Sequence, residues 1–384
     1  MDAGHRGHDD PFVGPRRTLH SPCPDEVVCD EERLRKAVMM GYAPTMAFYE
    51  QLIEEIDRRI ARLMPEAGRP DPLYGMMKYH LGWVDQSLQP AKASTGKRVR
   101  GRLCLLTCAA AGSPPERALA PATAVELVHN FSLIHDDIQD RSQYRRHRRT
   151  VWDIWGEAQA INGGDGMLVL AQLALAEDEE SDPRLVVRAL RALNEASRLL
   201  CEGQFLDLDY ENRLTVGLDD YYAMIERKTA ALLEASCFLG ALYGLADDTG
   251  LDAYSRFGKY LGLAFQIQDD YLGIWGDPKA TGKPAAADVA SKKKTLPILY
   301  ALSEAADPDR DRLAAILGQP GAATDAETVE ILGILERCGA AGYTAAEVAR
   351  TSQIALDALD AAGPQPAVAE DLVSFCRELV IRES

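Results

Sequence analysis

The chain has 384 residues, 47% hydrophobic and 26% charged, so a large buried core is available and wholesale disorder is excluded. Lys and Arg number 42 against 59 Asp and Glu, and the formal net charge of −17 argues against a general nucleic-acid or anionic-membrane binder, both of which want a basic surface. Eight scattered cysteines with no CxxC pair predict a reduced, cytoplasmic protein with buried thiols.

Residues 1 to about 35 mix Pro, Gly, His and Asp without periodicity and read as a loose extension, and the polar, acidic start MDAGHRGHDD predicts no secretory signal. The remainder, 36–384, reads as one all-α domain, because Ala and Leu recur at three- and four-residue spacing and alternating β-branched runs are scarce. Breaks fall near Pro65–Pro72, Pro90–Gly96, Gly112–Pro115, Asp182–Pro183, Gly217–Asp220 and Asp247–Gly250. A longer break covers Asp277–Ser291, and shorter ones lie near Asp307–Asp309, Gln319–Thr324 and Gly363–Pro366. The most apolar segment, Ala230–Ala246, carries Glu234 and falls short of the roughly 20 residues of a membrane span, so it predicts a buried core helix. Long helices of this kind place sites in the core between facing helices.

Ahead of the first acidic site, Gly96-Lys97-Arg98-Val99-Arg100 puts three cations where a helix begins. Cations there oppose the helix dipole, whereas backbone N–H groups and guanidinium forks together suit a phosphate. Residues 124–140 then supply an apolar face at helical spacing that closes on Asp136, Asp137 and Asp140. Asp136 and Asp140 lie one turn apart, so they repel each other near a C-terminus that already disfavours anions. Such an arrangement needs a cation. Arg141, Arg145, Arg146, Arg148 and Arg149 follow at once, a local reversal of the global charge. Lys228-Thr229 lies within a predicted helix, and residues 257–277 form a second apolar helix closing on Asp269 and Asp270. Gln266 lies one turn below Asp270, and Gly262 and Gly258 continue the stripe as an open or closely approached lane. Two carboxylate clusters with oxygen donors point to Mg²⁺, and the histidines show no zinc spacing.

These residues resemble the trans-isoprenyl diphosphate synthases (polyprenyl synthetases), and within them the geranylgeranyl type. The resemblance runs from about residue 45 to the C-terminus, through GKRVR at 96–100, HNFSLIHDDIQD at 129–140, RR at 145–146, GQFLD at 203–207, KT at 228–229, FQIQDD at 265–270, TGKP at 281–284 and KKKT at 292–295. It implies the isoprenoid synthase fold, long antiparallel helices around a central cavity, assembled as a homodimer. It implies Mg²⁺ on Asp136, Asp137 and Asp140 from one side and on Asp269 and Asp270 from the other. Lys97, Arg100, His129 and Arg146 would hold isopentenyl diphosphate. Arg145, Lys228 and Lys283 would grip an allylic diphosphate, with Thr229 and Gln266 beside the developing carbocation. One of Lys292, Lys293 and Lys294 would face the diphosphate.

The implied reaction is a head-to-tail condensation that releases diphosphate and gives a trans-polyprenyl diphosphate. Phe131, five residues before the first aspartate, with Ser132 beside it, implies geranylgeranyl diphosphate; a farnesyl or longer product is the alternative. A terpene cyclase on the same fold would keep the aspartates without needing a second diphosphate site, and the retained Lys97, Arg100, Arg145 and Arg146 argue against it. A silent partner subunit would lose acids from the first cluster, and RNA binding through 141–149 conflicts with the global charge. The chain departs from the family pattern at Gly101, His147, Arg149 and Gly273, with Asp277 a possible substitute for a third aspartate.

Overall fold

The computed structural model describes residues 46–64, 72–94, 96–213, 215–277 and 286–380. The N-terminal extension, the boundary at residue 36 and Lys283 with its TGKP stretch lie outside the described residues. In chain order the helices are α1 (Met46–Leu63), α2 (Pro72–His80), α3 (Val99–Ala110) and α4 (Leu119–Gln139), then α5 (Val151–Trp155), α6 (Glu157–Ala176) and α7 (Pro183–Asn212). They continue as α8 (Leu218–Ile225), α9 (Ala231–Tyr243), α10 (Asp248–Trp275), α11 (Ala287–Ala290) and α12 (Leu296–Glu304). The chain closes with α13 (Asp307–Leu317), α14 (Asp325–Arg337), α15 (Ala340–Ala361) and α16 (Pro366–Val380).

The sequence breaks become helix caps. Asp182 accepts from the Arg184 N–H at 2.7 Å with Pro183 in the first turn of α7, and Asp247 accepts from the Gly250 N–H at 2.8 Å to open α10. Thr324 and Glu327 form a reciprocal capping box on α14.

The centre of the molecule is α9. Eleven of its thirteen residues are buried, because it is apolar on every side and packs on α3, α4, α7 and α10 at once. The Ala230–Ala246 segment is therefore a core helix, and no helix among the described residues is long and apolar enough to cross a membrane. A second, smaller core gathers Ile274 at the end of α10 with Val289, Ile298, Leu313, Ile331 and Leu335 from α11 to α14. Cys104, Cys108, Cys237 and Cys376 are free buried thiols, whereas Cys201 is exposed, against the expectation of burial.

One element departs from the all-helical reading. Tyr144–Arg145 (β1) and Arg148–Arg149 (β2) pair antiparallel, with Tyr144 opposite Arg149 and Arg145 opposite Arg148. The two linking residues, Arg146 and His147, have φ of 50° and 64°, the left-handed pair of a type I′ turn. Strands of two residues carry no alternation to read, and this turn lacks the Asn-Gly or Asp-Gly that usually betrays one. The ribbon is fastened to α2: the Arg148 guanidinium lies 3.9 Å from the Tyr79 ring centre and donates to the Tyr79 and Val84 carbonyls at 3.0 and 2.7 Å.

Candidate active site

The basic side of the site is built where α3 begins. Arg98 is buried with φ 46° and spends its charge on Asp57 at 2.7 Å and Glu126 at 3.7 Å, so it is a structural cation. Lys97 beside it is exposed, and Arg100 reaches inward with its Nε buried and unpartnered. Gly96 has φ +80°, and a Cβ there would come within 2.7 Å of the Arg146 guanidinium, so the bare backbone lets Arg146 lie across the loop. Arg146 Nη1 is also buried without a partner. His129 on α4 faces the same group: burial, then Arg100, Arg146 and Arg145, and lastly His80 hold its ring well below the usual imidazole range. The structure thus brings together Arg100, His129, Arg145 and Arg146 from three separate elements. His80, at the end of α2, joins them without any signal in the sequence.

The acidic side begins at the end of α4. Burial pushes the half-buried Asp136 carboxyl up; Lys228 opposes the shift, and Asp140 and Asp207 add to it. Asp140 is the exposed residue that closes the helix. Asp137 turns elsewhere: its Oδ1 accepts from Arg145 Nε at 2.8 Å and its Oδ2 is buried and unpartnered, and burial raises its carboxyl to about 6. From α10, Asp270 is buried and already held by the Tyr221 hydroxyl at 2.6 Å, the Gln266 amide at 3.0 Å and the Leu296 N–H at 3.1 Å. Asp269 is half-buried, and its charge acts on Arg100 on the basic side.

Lys293 lines a cleft with Asp207 and with Tyr221, the residue that holds Asp270. The surrounding protein works against its charge, yet Asp270, Asp207, Asp288 and Asp140 together hold its ammonium above the ordinary lysine range. The three adjacent lysines are thereby separated. Lys292 Nζ donates to the Gln319 carbonyl on the surface, and Lys294 Nζ caps the end of α7 at the Tyr210, Glu211 and Arg213 carbonyls. Lys293 alone of the three faces the acids.

Between α8 and α9 the helix swells into one π turn, Glu226–Ala230, which carries Lys228 and Thr229. Single π turns inside α-helices recur at functional sites. Two glycines make room for it: a Cβ at Gly203 on α7 would overlap the Lys228 backbone, and one at Gly262 on α10 would meet the Ala230 Cα at 2.5 Å. The glycine stripe below Asp270 is therefore a closely approached seam rather than an open lane, and Gly258 likewise abuts Leu233 and Glu234. From this turn Lys228 pairs with Asp207 on α7, and the Thr229 hydroxyl donates to Gln266 Oε1 at 2.7 Å. Because the Gln266 amide donates onward to Asp270, Thr229, Gln266 and Asp270 form one directed chain.

Phe131 is buried and meets the His135 ring edge-on at 5.7 Å; Ser132, also buried, donates to the His129 carbonyl at 2.9 Å. At Gly273 a Cβ would overlap the Asp288 carboxylate, so Asp288 fills the place a third acid on α10 would need, while Asp277 is exposed beyond the helix end.

Among the described residues no three His, Cys, Asp or Glu side chains converge into a ready-made metal cage. The donors nonetheless suit a hard divalent ion: they are carboxylates only, Asp136 is raised by burial, and Asp137 keeps a buried oxygen unpartnered. Ions of the Mg²⁺ type complete such sparse sets with substrate phosphate oxygens.

A family model described as polyprenyl synthetase matches residues 82–334. A (2E,6E)-farnesyl diphosphate synthase of Mycobacterium tuberculosis is 37% identical over 92% of this chain and 96% of its own. A geranylgeranyl diphosphate synthase of the same species is 41% identical over 82% and 87%. Among solved structures, a polyprenyl synthetase from Streptomyces coelicolor A3(2) superposes with a TM-score of 0.79 at 38% identity, covering 86% of this chain and 97% of its own. A polyprenyl synthase from Caulobacter crescentus CB15, complexed with calcium and isoprenyl diphosphate, gives 0.75 at 26% identity over 90% and 100%.

Proposed function

This chain belongs to the polyprenyl synthetase family, a family of prenyltransferases, and we propose that it joins isopentenyl diphosphate to an allylic diphosphate head to tail with Mg²⁺, making geranylgeranyl diphosphate. The observation that supports this reading is a cleft in which Lys293 stands with Asp207, the partner of Lys228, and with Tyr221, whose hydroxyl holds Asp270.

Asp136, Asp137 and Asp140, with Asp269 and Asp270 opposite, would hold Mg²⁺, which when bound supplies Lewis-acid stabilisation of a departing diphosphate. Arg145, Lys228 and Lys293 add positive charge where the allylic C–O bond breaks, and Lys283 joins this set as the family resemblance implies. Thr229 commits its proton to Gln266, which leaves its oxygen lone pairs to face an electron-poor allylic carbon. Lys97, Arg100, His129 and Arg146 hold isopentenyl diphosphate so that its double bond attacks that carbon. Proton loss to the released diphosphate ends the step, and the apolar faces of α4 and α10 exclude the water that would quench the cation.

The buried Phe131 with small Ser132 beside it supports a twenty-carbon limit. A fifteen-carbon product is the second reading, favoured by the likeness to a farnesyl diphosphate synthase across 92% of the chain. We also propose a homodimer, since Ile161, Val169 and Leu173 expose one apolar face of α6 for a second copy, and a cytoplasmic location, which the scattered cysteines without a CxxC pair support. Incubation with Mg²⁺, isopentenyl diphosphate and each allylic primer, followed by mass measurement of the prenyl alcohols, separates the two products. Asp136→Ala should lower turnover about 10²-fold or more with its circular dichroism unchanged, and an unchanged rate at saturating Mg²⁺ overturns the assignment.

A further inference from the structure

We propose that Tyr221 is a positioning residue for the second acidic motif, its buried hydroxyl fixing which oxygen of Asp270 is left to meet a cation. The inference rests on the reading above and adds to it a residue of α8 that belongs to none of the motifs.

Three observations carry it. First, Tyr221 is buried, and its hydroxyl donates to Asp270 Oδ2 at 2.6 Å, the short separation of a hydroxyl bound to a carboxylate. Packing asks only for the ring; a buried hydroxyl needs a partner, and here that partner is the acid. Second, the acceptor positions of Asp270 are unequally filled. A carboxylate offers about four, two on each oxygen. The Tyr221 hydroxyl and the Leu296 N–H, at 3.1 Å, both bond to Oδ2, whereas the Gln266 amide bonds to Oδ1 at 3.0 Å. Among the described residues this leaves Oδ1 as the oxygen with room for a cation. Tyr221 also lines the cleft that holds Asp207 and Lys293, so its bond is made at the wall of the site.

Third, both grips on Asp270 come from one stretch of chain. The helix α8 delivers Tyr221 to Oδ2 and runs straight into the π turn, from which Thr229 reaches Oδ1 through Gln266. The acid is therefore held at both oxygens by the same element that carries Lys228, which ties its orientation to the placement of that lysine.

The test measures calorimetric binding of inorganic diphosphate, with Mg²⁺ and in EDTA, to wild type, Tyr221→Phe, Asp270→Asn and the double variant, with circular dichroism as the check on folding. Phenylalanine keeps the ring and loses the donor. Tyr221→Phe should weaken binding about tenfold with Mg²⁺ and less than about twofold in EDTA. In the Asp270→Asn background the same change should cost less than about twofold, because a residue that acts through Asp270 has nothing left to position. Unaltered binding in Tyr221→Phe, equal weakening with Mg²⁺ and in EDTA, or losses that multiply in the double variant each overturn the proposal. In turnover, Tyr221→Phe should raise the Mg²⁺ concentration for half-maximal rate about tenfold and leave KM for isopentenyl diphosphate within about twofold, and the reverse pattern counts against it. A wild type that makes no prenyl diphosphate sinks the proposed reaction while the calorimetric comparison still decides the role of Tyr221. A wild type that binds diphosphate no better with Mg²⁺ than in EDTA overturns the metal site and this proposal together.

Discussion

His147 sits in the left-handed region at φ 64°, at the second position of a turn that favours glycine there. An L side chain in that conformation costs roughly 1–2 kcal/mol, so His147→Gly should raise the unfolding free energy by about 1 kcal/mol in denaturant titration. A lowered midpoint would show that the imidazole has a role here that the backbone cost conceals. Gly101, another departure, donates its N–H to Glu126 Oε1 at 2.8 Å, a bond proline cannot make, and Glu126 in turn helps hold Arg98. Residue identity alone gave away the aspartate tips, since adjacent acids at the end of an apolar helix are electrostatically costly. It could not separate Lys292, Lys293 and Lys294, because their distinction lies in which distant carbonyls and carboxylates they meet.

At the scale of elements, the 3.6-residue period made α9 legible as a core helix and placed the first acids at the end of α4, whereas α10 runs on past Asp270 to Trp275. The π turn left no such trace, because a single swollen turn disturbs the periodicity less than ordinary sequence variation does. Only its neighbours betray it, through Gly203 and Gly262 on facing helices. Next to it, α8 is tied to α15 by the Tyr222 hydroxyl, which donates to Glu347 at 2.6 Å. The hydrogen bond from Arg350 is the largest influence on Glu347, and it holds that carboxyl below the usual glutamate range. A depressed carboxylate stabilises the fold above its unfolded value, about 4.3, and loses that contribution as pH falls through the lower folded value. Glu347→Gln should therefore flatten the acid limb of a stability-versus-pH curve below about pH 4.3 and leave neutral-pH slopes alone. An unaltered acid limb would mean the contact is too well solvated to matter.

Across the whole molecule, a net charge of −17 surrounds a cleft lined by Arg145, Arg146, Arg148 and Arg149. An acidic exterior around a basic pocket restricts polyanions to one destination. Ligands that bind only the folded state raise its stability by mass action, about 2.7 kcal/mol at a hundred times their Kd. Mg²⁺ with inorganic diphosphate should thus raise the melting temperature by several degrees, beyond either component alone, and EDTA should remove the synergy. Simple additivity of the two shifts would contradict a metal completed by phosphate oxygens. The all-α class was readable from composition and period; the short ribbon, built from two-residue strands, was not.

The swollen turn at Glu226–Ala230 has an evolutionary corollary. A π bulge amounts to a surplus amino acid lodged in an otherwise regular helix, with the flanking stretches left in phase. Excising one residue there would restore an unbroken rod from Leu218 to Tyr243 and spare the hydrophobic interior, but the bulge that steers Lys228 toward α7 and Thr229 toward α10 would be gone. Under the roles proposed for Lys228 and Thr229, the chemistry of this site depends on that surplus residue, and a lineage relieved of that chemistry could discard it in a single step.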